Sequence, residues 1–221
     1  MRGQGERFDI DDRSAAGMTL YALKPRFQAL LRPSVGRLAA AGVTANQVTL
    51  AAAAGSLAVG ALAAWAGVRA LFLLLPVWLF ARMALNAVDG MLAREFAQKS
   101  RLGGYLNEIC DVVSDAALYA PFALVAPFGG FWVGTVVVLA IVSEYAGVLG
   151  PAIGAARRYD GPLGKSDRAL VFGALGLWVG LGLPLPDWTF WLMPALAVLL
   201  AATTANRVRA GLAEAERAAA E

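Results

Sequence analysis

Six stretches of this chain, near 47–67, 70–91, 105–126, 131–153, 168–185 and 188–206, are apolar over roughly the 20 residues a helix needs to cross a bilayer. That repetition constrains the fold more than any other feature. It predicts an all-α integral membrane protein with six transmembrane helices. Composition agrees: 59% of the 221 residues are hydrophobic and only 16% are charged, against about 25% charged in soluble domains. A disordered chain, a nucleic-acid-binding domain and an ordinary soluble enzyme are thereby excluded. The third stretch is the weakest by hydropathy, because it opens with Asn107, Glu108, Asp111 and Asp115. Six spans leave no room for a separate soluble domain. The expected division is 1–42, a cytoplasmic tail with a juxtamembrane amphipathic segment; 43–207, the membrane domain; and 208–221, a second cytoplasmic tail. The first residues are too charged for a secretory signal peptide, and residues 1–18 are expected to form a mobile tail.

Loop charges give the orientation. Of the 19 Lys and Arg, seventeen fall in the N-terminal segment, the 2–3 region, the 4–5 loop and the C-terminal tail, which all lie on one side. Arg69 alone lies on the other, and Arg82 sits within the second span. Positive charge accumulates on the cytoplasmic side, so both termini are expected there, in a multi-pass protein of the cell (inner) membrane. The loops on the opposite side, PFGG at 127–130 and LPLPD at 183–187, are short and almost uncharged.

Residues 19–42 differ from the spans. Leu20, Leu23, Phe27, Leu30, Leu31, Val35 and Leu38 recur at three- and four-residue steps, with Lys24, Arg26, Arg32 and Arg37 between them. The pattern suits a helix on an anionic membrane surface and equally one packed against the spans. Pro25 and Pro33 are expected to break or bend it. In the Ala-rich stretch 51–67, small residues favour close helix packing.

Ionisable groups inside a span are costly and mark functional sites by default. Here they cluster. Asn86, Asp89, Gly90, Ala93 and Arg94 share one helical face at the end of the second span. Gly103, Asn107, Asp111 and Asp115 follow at four-residue steps at the start of the third, with Glu108 beside them. The two spans run antiparallel through a short basic loop, so the stripes can face each other just inside the cytoplasmic boundary. The chain has no histidine and a single cysteine, so the ligands on offer are oxygens, which suit Mg²⁺, Mn²⁺ or Ca²⁺. Any catalytic acid or base must be Asp, Glu, Lys or Tyr. Gly90 and Gly103 leave room for a ligand to approach the backbone.

The segment NAVDGMLAREFAQKSRLGGYLNEICD, residues 86–111, resembles the signature of the CDP-alcohol phosphotransferases, D-x2-D-G-x2-A-R-x8-G-x3-D-x3-D. Asp89, Gly90, Ala93, Arg94, Gly103 and Asp111 match in identity and spacing, whereas Asn86 and Asn107 replace the first and third Asp. TANQVTL at 44–50 is similar to the family's entry into its first span, with Ala45 at a frequent Pro. GKSDRA at 164–169 looks like its basic loop before the fifth. The resemblance implies a six-span fold and the transfer of a phosphatidyl or similar group from a CDP-linked lipid, such as CDP-diacylglycerol, to a small alcohol with release of CMP. It also implies a Mg²⁺ or Mn²⁺ cofactor, as one ion or two. Asp89 would bridge the metal site and Asp111 would be the base near it. Asn86 and Asn107 would coordinate through amide oxygens, with Glu108, ahead of Asp115, restoring charge. Gly90, Ala93, Arg94 and Gly103 would shape the CDP pocket, helped by Asn46 and Thr49.

Other readings stay open at this level. The asparagines also allow a catalytically degenerate member. A transporter would put acids inside spans too, but it calls for mid-membrane broken helices and an inverted repeat, and neither is visible. Arg82 is expected to pair with Glu144 or Asp89. Glu144 and Tyr145 line an acceptor cavity or serve that pairing. Lys165, Arg168 and Arg157 are either ordinary cytoplasmic charges or the seat of an acceptor phosphate. The tryptophans read as interface anchors or packing, and Cys110 as a small buried residue. Lipids, the donor and the acceptor are the expected partners, nucleic acid is not, and a homodimer is compatible with the pattern.

Overall fold

The computed structural model describes residues 18–220 apart from residue 66, with side chains from residue 27 onward. Among these residues it is all-helical, with seven helices: α1 (Met18–Ala40), α2 (Ala45–Trp65), α3 (Leu74–Glu95), α4 (Arg101–Tyr119), α5 (Gly130–Val148), α6 (Lys165–Gly180) and α7 (Leu192–Ala220). Among the described residues, four helical stretches are long and apolar enough to cross a membrane: Ala45–Trp65, Arg69–Glu95, Gly130–Val148 and Asp187–Ala220. They coincide with the first, second, fourth and sixth expected spans. The third and fifth fall on α4 and α6. α4 carries Glu108, Asp111 and Asp115, and α6 has 16 residues, so neither reaches that length and hydropathy.

Local chemistry sets the helix starts that matter for the site. Thr44 and Gln47 form a capping box: the Gln47 amide donates to Thr44 Oγ1 at 3.2 Å, and the Thr44 amide donates to Gln47 Oε1 at 2.9 Å. Ser100 Oγ accepts from the Gly103 amide at 2.9 Å and caps α4. Between α3 and α4 the chain turns through Ala97 at φ 55°. Gln98 then reaches across to the start of α2, accepting from the Ala45 amide at 2.7 Å and donating to the Val43 carbonyl at 3.3 Å. One side chain thus ties the α3–α4 turn to the beginning of α2.

α2 packs between α3 and α4, α5 against α7, and α3 against α6. At Gly60 a Cβ would lie 2.8 Å from the carbonyl carbon of Ala117 on α4, so the Ala-rich helix does use small residues for close approach. The larger core lies away from the α3–α4 turn and includes Leu75, Leu118, Phe122, Phe128, Met193 and Leu200. In it Tyr119 stacks on Phe172 with ring centroids 3.8 Å apart. Trp78 is packing rather than an anchor, donating to Ser56 Oγ at 2.9 Å, whereas Trp65, Trp188 and Trp191 are exposed.

A second, smaller core answers the question about residues 19–42. Val35 is fully buried against Val88, Met91 and Leu92 of α3, with Leu31 and Leu38 beside it. Phe27 meets Phe80 edge-on, and Arg32 pairs with Glu95 at 3.0 Å. Leu30, on another face, is exposed. The segment therefore packs on α3 with one face and leaves another open. The expected break at Pro25 and Pro33 is absent: α1 runs unbroken from Met18 to Ala40. Pro33 forfeits one internal hydrogen bond, and packing of the flanking Leu31 and Val35 holds the turn across it. The expected mobile tail lies outside the described residues, except for Met18. At the other end α7 continues as helix to Ala220, well past the expected end of the last span. Glu214 fastens this extension, accepting from the Ala156 amide at 3.0 Å and pairing with Arg158.

Candidate active site

The facing stripes of α3 and α4 meet as their spacing requires. Asn86 Nδ2 donates to Asp111 Oδ1 at 3.3 Å across the helix pair. Asp89 lies one turn further along α3, 6% exposed, and accepts from Thr49 Oγ1 of α2 at 2.8 Å. Among the described residues no cation pairs with Asp89. Thr49, expected to help hold CDP, orients this carboxylate through its hydroxyl.

Asp111 has the opposite environment. Arg82 Nη2 donates to its Oδ1 at 3.1 Å and to its backbone carbonyl at 3.0 Å, and the Lys165 ammonium pairs with Oδ2. Arg82 therefore does not pair with Glu144 or Asp89 as expected. It pairs with Asp111 and with Asp115, whose Oδ1 lies 2.5 Å from Nη1. Position 82 faces α4, so the α4 acids reach it first.

Two further corrections follow from the same network. Arg168 was expected to be an ordinary cytoplasmic charge or to meet an acceptor phosphate; it is neither exposed nor free, being 1% exposed and donating to Asp115 Oδ2 and Glu144 Oε1, each at 2.9 Å. Glu108 was expected to add charge beside Asn107 and Asp89; it pairs with Arg157. Asn107 Nδ2 donates to Glu108 Oε1 at 3.4 Å. Asp115, the other candidate compensator, is taken by Arg82 and Arg168. Among the described residues no group of three or more Asp, Glu or Cys is placed to hold a metal ion.

Arg207 was counted as a tail charge and is part of this interior. It is 2% exposed, 3.4 Å from Glu144 Oε1, and donates to the Ser143 carbonyl at 2.5 Å. The chain Arg82–Asp115–Arg168–Glu144–Arg207 thus links α3, α4, α6, α5 and α7 in alternating charge. The available signal was Glu144 itself: a mid-span acid demands a basic partner, and Arg207 closes the last apolar stretch. Glu144, Tyr145 and Glu108 also line an open, largely apolar pocket of about 170 Å³ between α4 and α5.

The remaining motif positions lie on the last turns of α3 and the first turn of α4. Arg94 is exposed and folds toward Gly90, where a Cβ would lie 3.1 Å from its Nη atoms; Ala93 is half-buried beside it. Gly103 faces Asn46: a Cβ there would come within 2.8 Å of Asn46 Oδ1. Only glycine leaves this amide its place. The starts of α2 and α4 come together at this point, and helix N-termini attract phosphate.

A family model described as CDP-alcohol phosphatidyltransferase matches residues 42–209. "Inner membrane protein YnbA" of Escherichia coli (strain K12) is 49% identical over 198 residues, covering 88% of this chain and 97% of that protein. The phosphatidylinositol phosphate synthase of Mycobacteroides abscessus is 31% identical over 192 residues, covering 83% and 84%. The crystal structure of Mycobacterium tuberculosis phosphatidylinositol phosphate synthase (PgsA1) with CDP-DAG bound superposes with a TM-score of 0.67 at 22% identity, covering 81% of this chain and 92% of that one. The same protein in complex with manganese and citrate gives 0.65 at 22% identity, covering 81% and 88%. These two establish likeness of fold.

Proposed function

The chain belongs to the CDP-alcohol phosphatidyltransferase family, and from that premise we propose that it moves a phosphatidyl or related substituted phosphate group from a CDP-linked lipid to a small alcohol, releasing CMP. CDP-diacylglycerol is the proposed donor; PgsA1, of like fold, has been crystallised with it. The observation that carries the reading is Asp89. A carboxylate that is 6% exposed, with a threonine hydroxyl as its hydrogen-bond partner, costs several kcal/mol to keep charged without a cation. Asn86 lies one turn before it on the same face of α3, and Thr49 ties it to the first turns of α2.

This donor set fits one hard divalent cation. Mg²⁺ is commonly held by one or two carboxylates, with water and substrate phosphates completing its shell. Asp89 would hold the ion with the Asn86 amide oxygen. When bound, the ion would polarise the phosphoryl oxygens and offset pyrophosphate charge. The chain's own residues supply the rest. Arg94 and the backbone at Gly90 and Gly103 receive the CDP portion, and Asn46 sets the pocket wall. Asp111 takes the acceptor's hydroxyl proton at Oδ2, while Arg82 and Asn86 fix Oδ1. The acceptor oxygen forms the new bond to the phosphorus that bears the lipid alcohol. The bond from that phosphorus to CMP breaks, and CMP leaves with the electron pair.

In the membrane, we place six spans with both termini cytoplasmic and this site at the cytoplasmic boundary, the arrangement the loop charges favour. Cysteine labelling that puts position 128 or 186 on the cytoplasmic side refutes it. The reaction is tested by divalent-dependent CMP release from CDP-diacylglycerol with a panel of polyols, polyol phosphates and serine. Wild type is expected to release CMP, and Asp89→Asn is expected to lose both turnover and divalent-dependent CDP binding. If wild type binds CDP but releases no CMP with any acceptor, the chain is a binding-only member.

A further inference from the structure

The two sides of this site are unlike. Among the described residues, Asp89 has a hydroxyl partner and no cation, whereas three nitrogen donors surround Asp111: Arg82 Nη2 and Asn86 Nδ2 on Oδ1, and Lys165 Nζ on Oδ2. A carboxylate offers about four lone-pair sites. Three of those on Asp111 are taken, which leaves too little to share between two metal ions. The family signature carries four acids, and here two of them are amides. Asn86 uses its amide nitrogen toward Asp111, a bond an aspartate at that position would turn into repulsion. The remaining nearby acids do not refill the site, because Glu108 is held by Arg157 and Asp115 by Arg82 and Arg168.

We infer that the site takes one divalent ion, on the Asp89 side, and that the Lys165 ammonium, braced with Arg82 on Asp111, occupies the place and supplies the positive charge of a second. The inference rests on the transferase reading and refines it. A fixed ammonium brings one charge where a divalent ion brings two, which matches a site that has lost carboxylates. It also gives Lys165 a role distinct from binding an acceptor phosphate: a positioning residue that acts through Asp111.

The test counts ions directly. Purified full-length protein in detergent is titrated with Mn²⁺ in the presence of CMP; free Mn²⁺ is read by electron paramagnetic resonance and CMP binding by calorimetry. Wild type is expected to bind one Mn²⁺ per chain. Two ions overturn the inference yet leave the transferase reading intact. No Mn²⁺, with CMP binding indifferent to it, overturns both. The variant Asn86→Asp with Asn107→Asp is expected to bind its ion more tightly and still bind only one, because Lys165 and Arg82 remain. Adding Lys165→Gln to that pair is expected to open a second site. Two ions in the double variant with Lys165 present would show that the lysine does not hold the place. Should the triple variant not survive purification, Lys165→Gln alone decides. Loss of a neighbouring like charge is expected to tighten the single Mn²⁺ site by about tenfold, and unchanged affinity refutes the assignment.

Discussion

Arg168→Met separates a structural arginine from a substrate ligand. The side chain is 1% exposed, and its Nη2 is shared between Asp115 and Glu144 at 2.9 Å each. Removing one member of a buried ion pair costs about 3–5 kcal/mol, mostly because the partner charge stays behind. Here Asp115 keeps Arg82 and Glu144 keeps Arg207, which sets the loss near the lower end, about 3 kcal/mol. For a chain of this size that corresponds to a fall in Tm of about 6–12 °C. Cys110, the single cysteine, half-buried on α4, provides the assay: a thiol-reactive dye reports unfolding during a thermal ramp in detergent. Asp115→Asn removes the excess negative charge, so the double variant is expected to lose clearly less than the sum of the singles. Additivity to within about 0.5 kcal/mol would show that the pair does not hold the helices together. An unchanged Tm with a raised KM for acceptor would refute the network and return Arg168 to an acceptor phosphate.

Three further outcomes are expected. Ala97→Gly relieves a left-handed residue at φ 55° and is expected to raise stability by roughly 1 kcal/mol, seen as a higher Tm in the same dye assay. Gly103→Val would put a Cβ 2.8 Å from the place of Asn46 Oδ1 and force that oxygen aside; CDP affinity is expected to fall at least tenfold in calorimetry with Tm little changed, and equal affinity would remove Gly103 from the pocket. In the α5–α6 loop, burial alone would raise the Asp160 carboxyl, but the Arg158 guanidinium and nearby backbone amides hold it below its ordinary value. A depressed carboxylate contributes stability above its unfolded pKa and loses it as pH falls through the folded one. Tm below about pH 4 is therefore expected to drop more in wild type than in Asp160→Asn, and matching profiles would count against the clasp.

The parts of this site legible in the sequence are those that periodicity governs. Asn107, Asp111 and Asp115 had to share a face of α4, and Asn86 and Asp89 a face of α3, because helical spacing leaves no alternative. Pairing between helices is another matter. Whether Arg82 meets Asp89, Asp111 or Glu144 depends on the rotation of α3 against α4, which composition does not encode. Glu108 shows the limit clearly: one residue from Asn107, it is about 100° around the helix, and Arg157, which follows it by 49 positions, claims it. Arg207 was hidden because charges at the ends of spans read as topology signals.

The order of residues along the chain gives the alternating network a consequence for biosynthesis. Asp89, Glu108, Asp111, Asp115 and Glu144 all precede Arg157, Lys165, Arg168 and Arg207; of the bases in the interior only Arg82 comes early. As the ribosome delivers the helices in turn, the growing bundle first accumulates acids that the bilayer tolerates poorly. Their partners emerge only with the α5–α6 loop, α6 and finally α7. A nascent chain stalled before α7 leaves the Ser143 carbonyl and one side of Glu144 without their guanidinium. α7 is thus the helix that completes neutralisation of Glu144, so a chain interrupted before it differs in exposed interior charge from one that includes it.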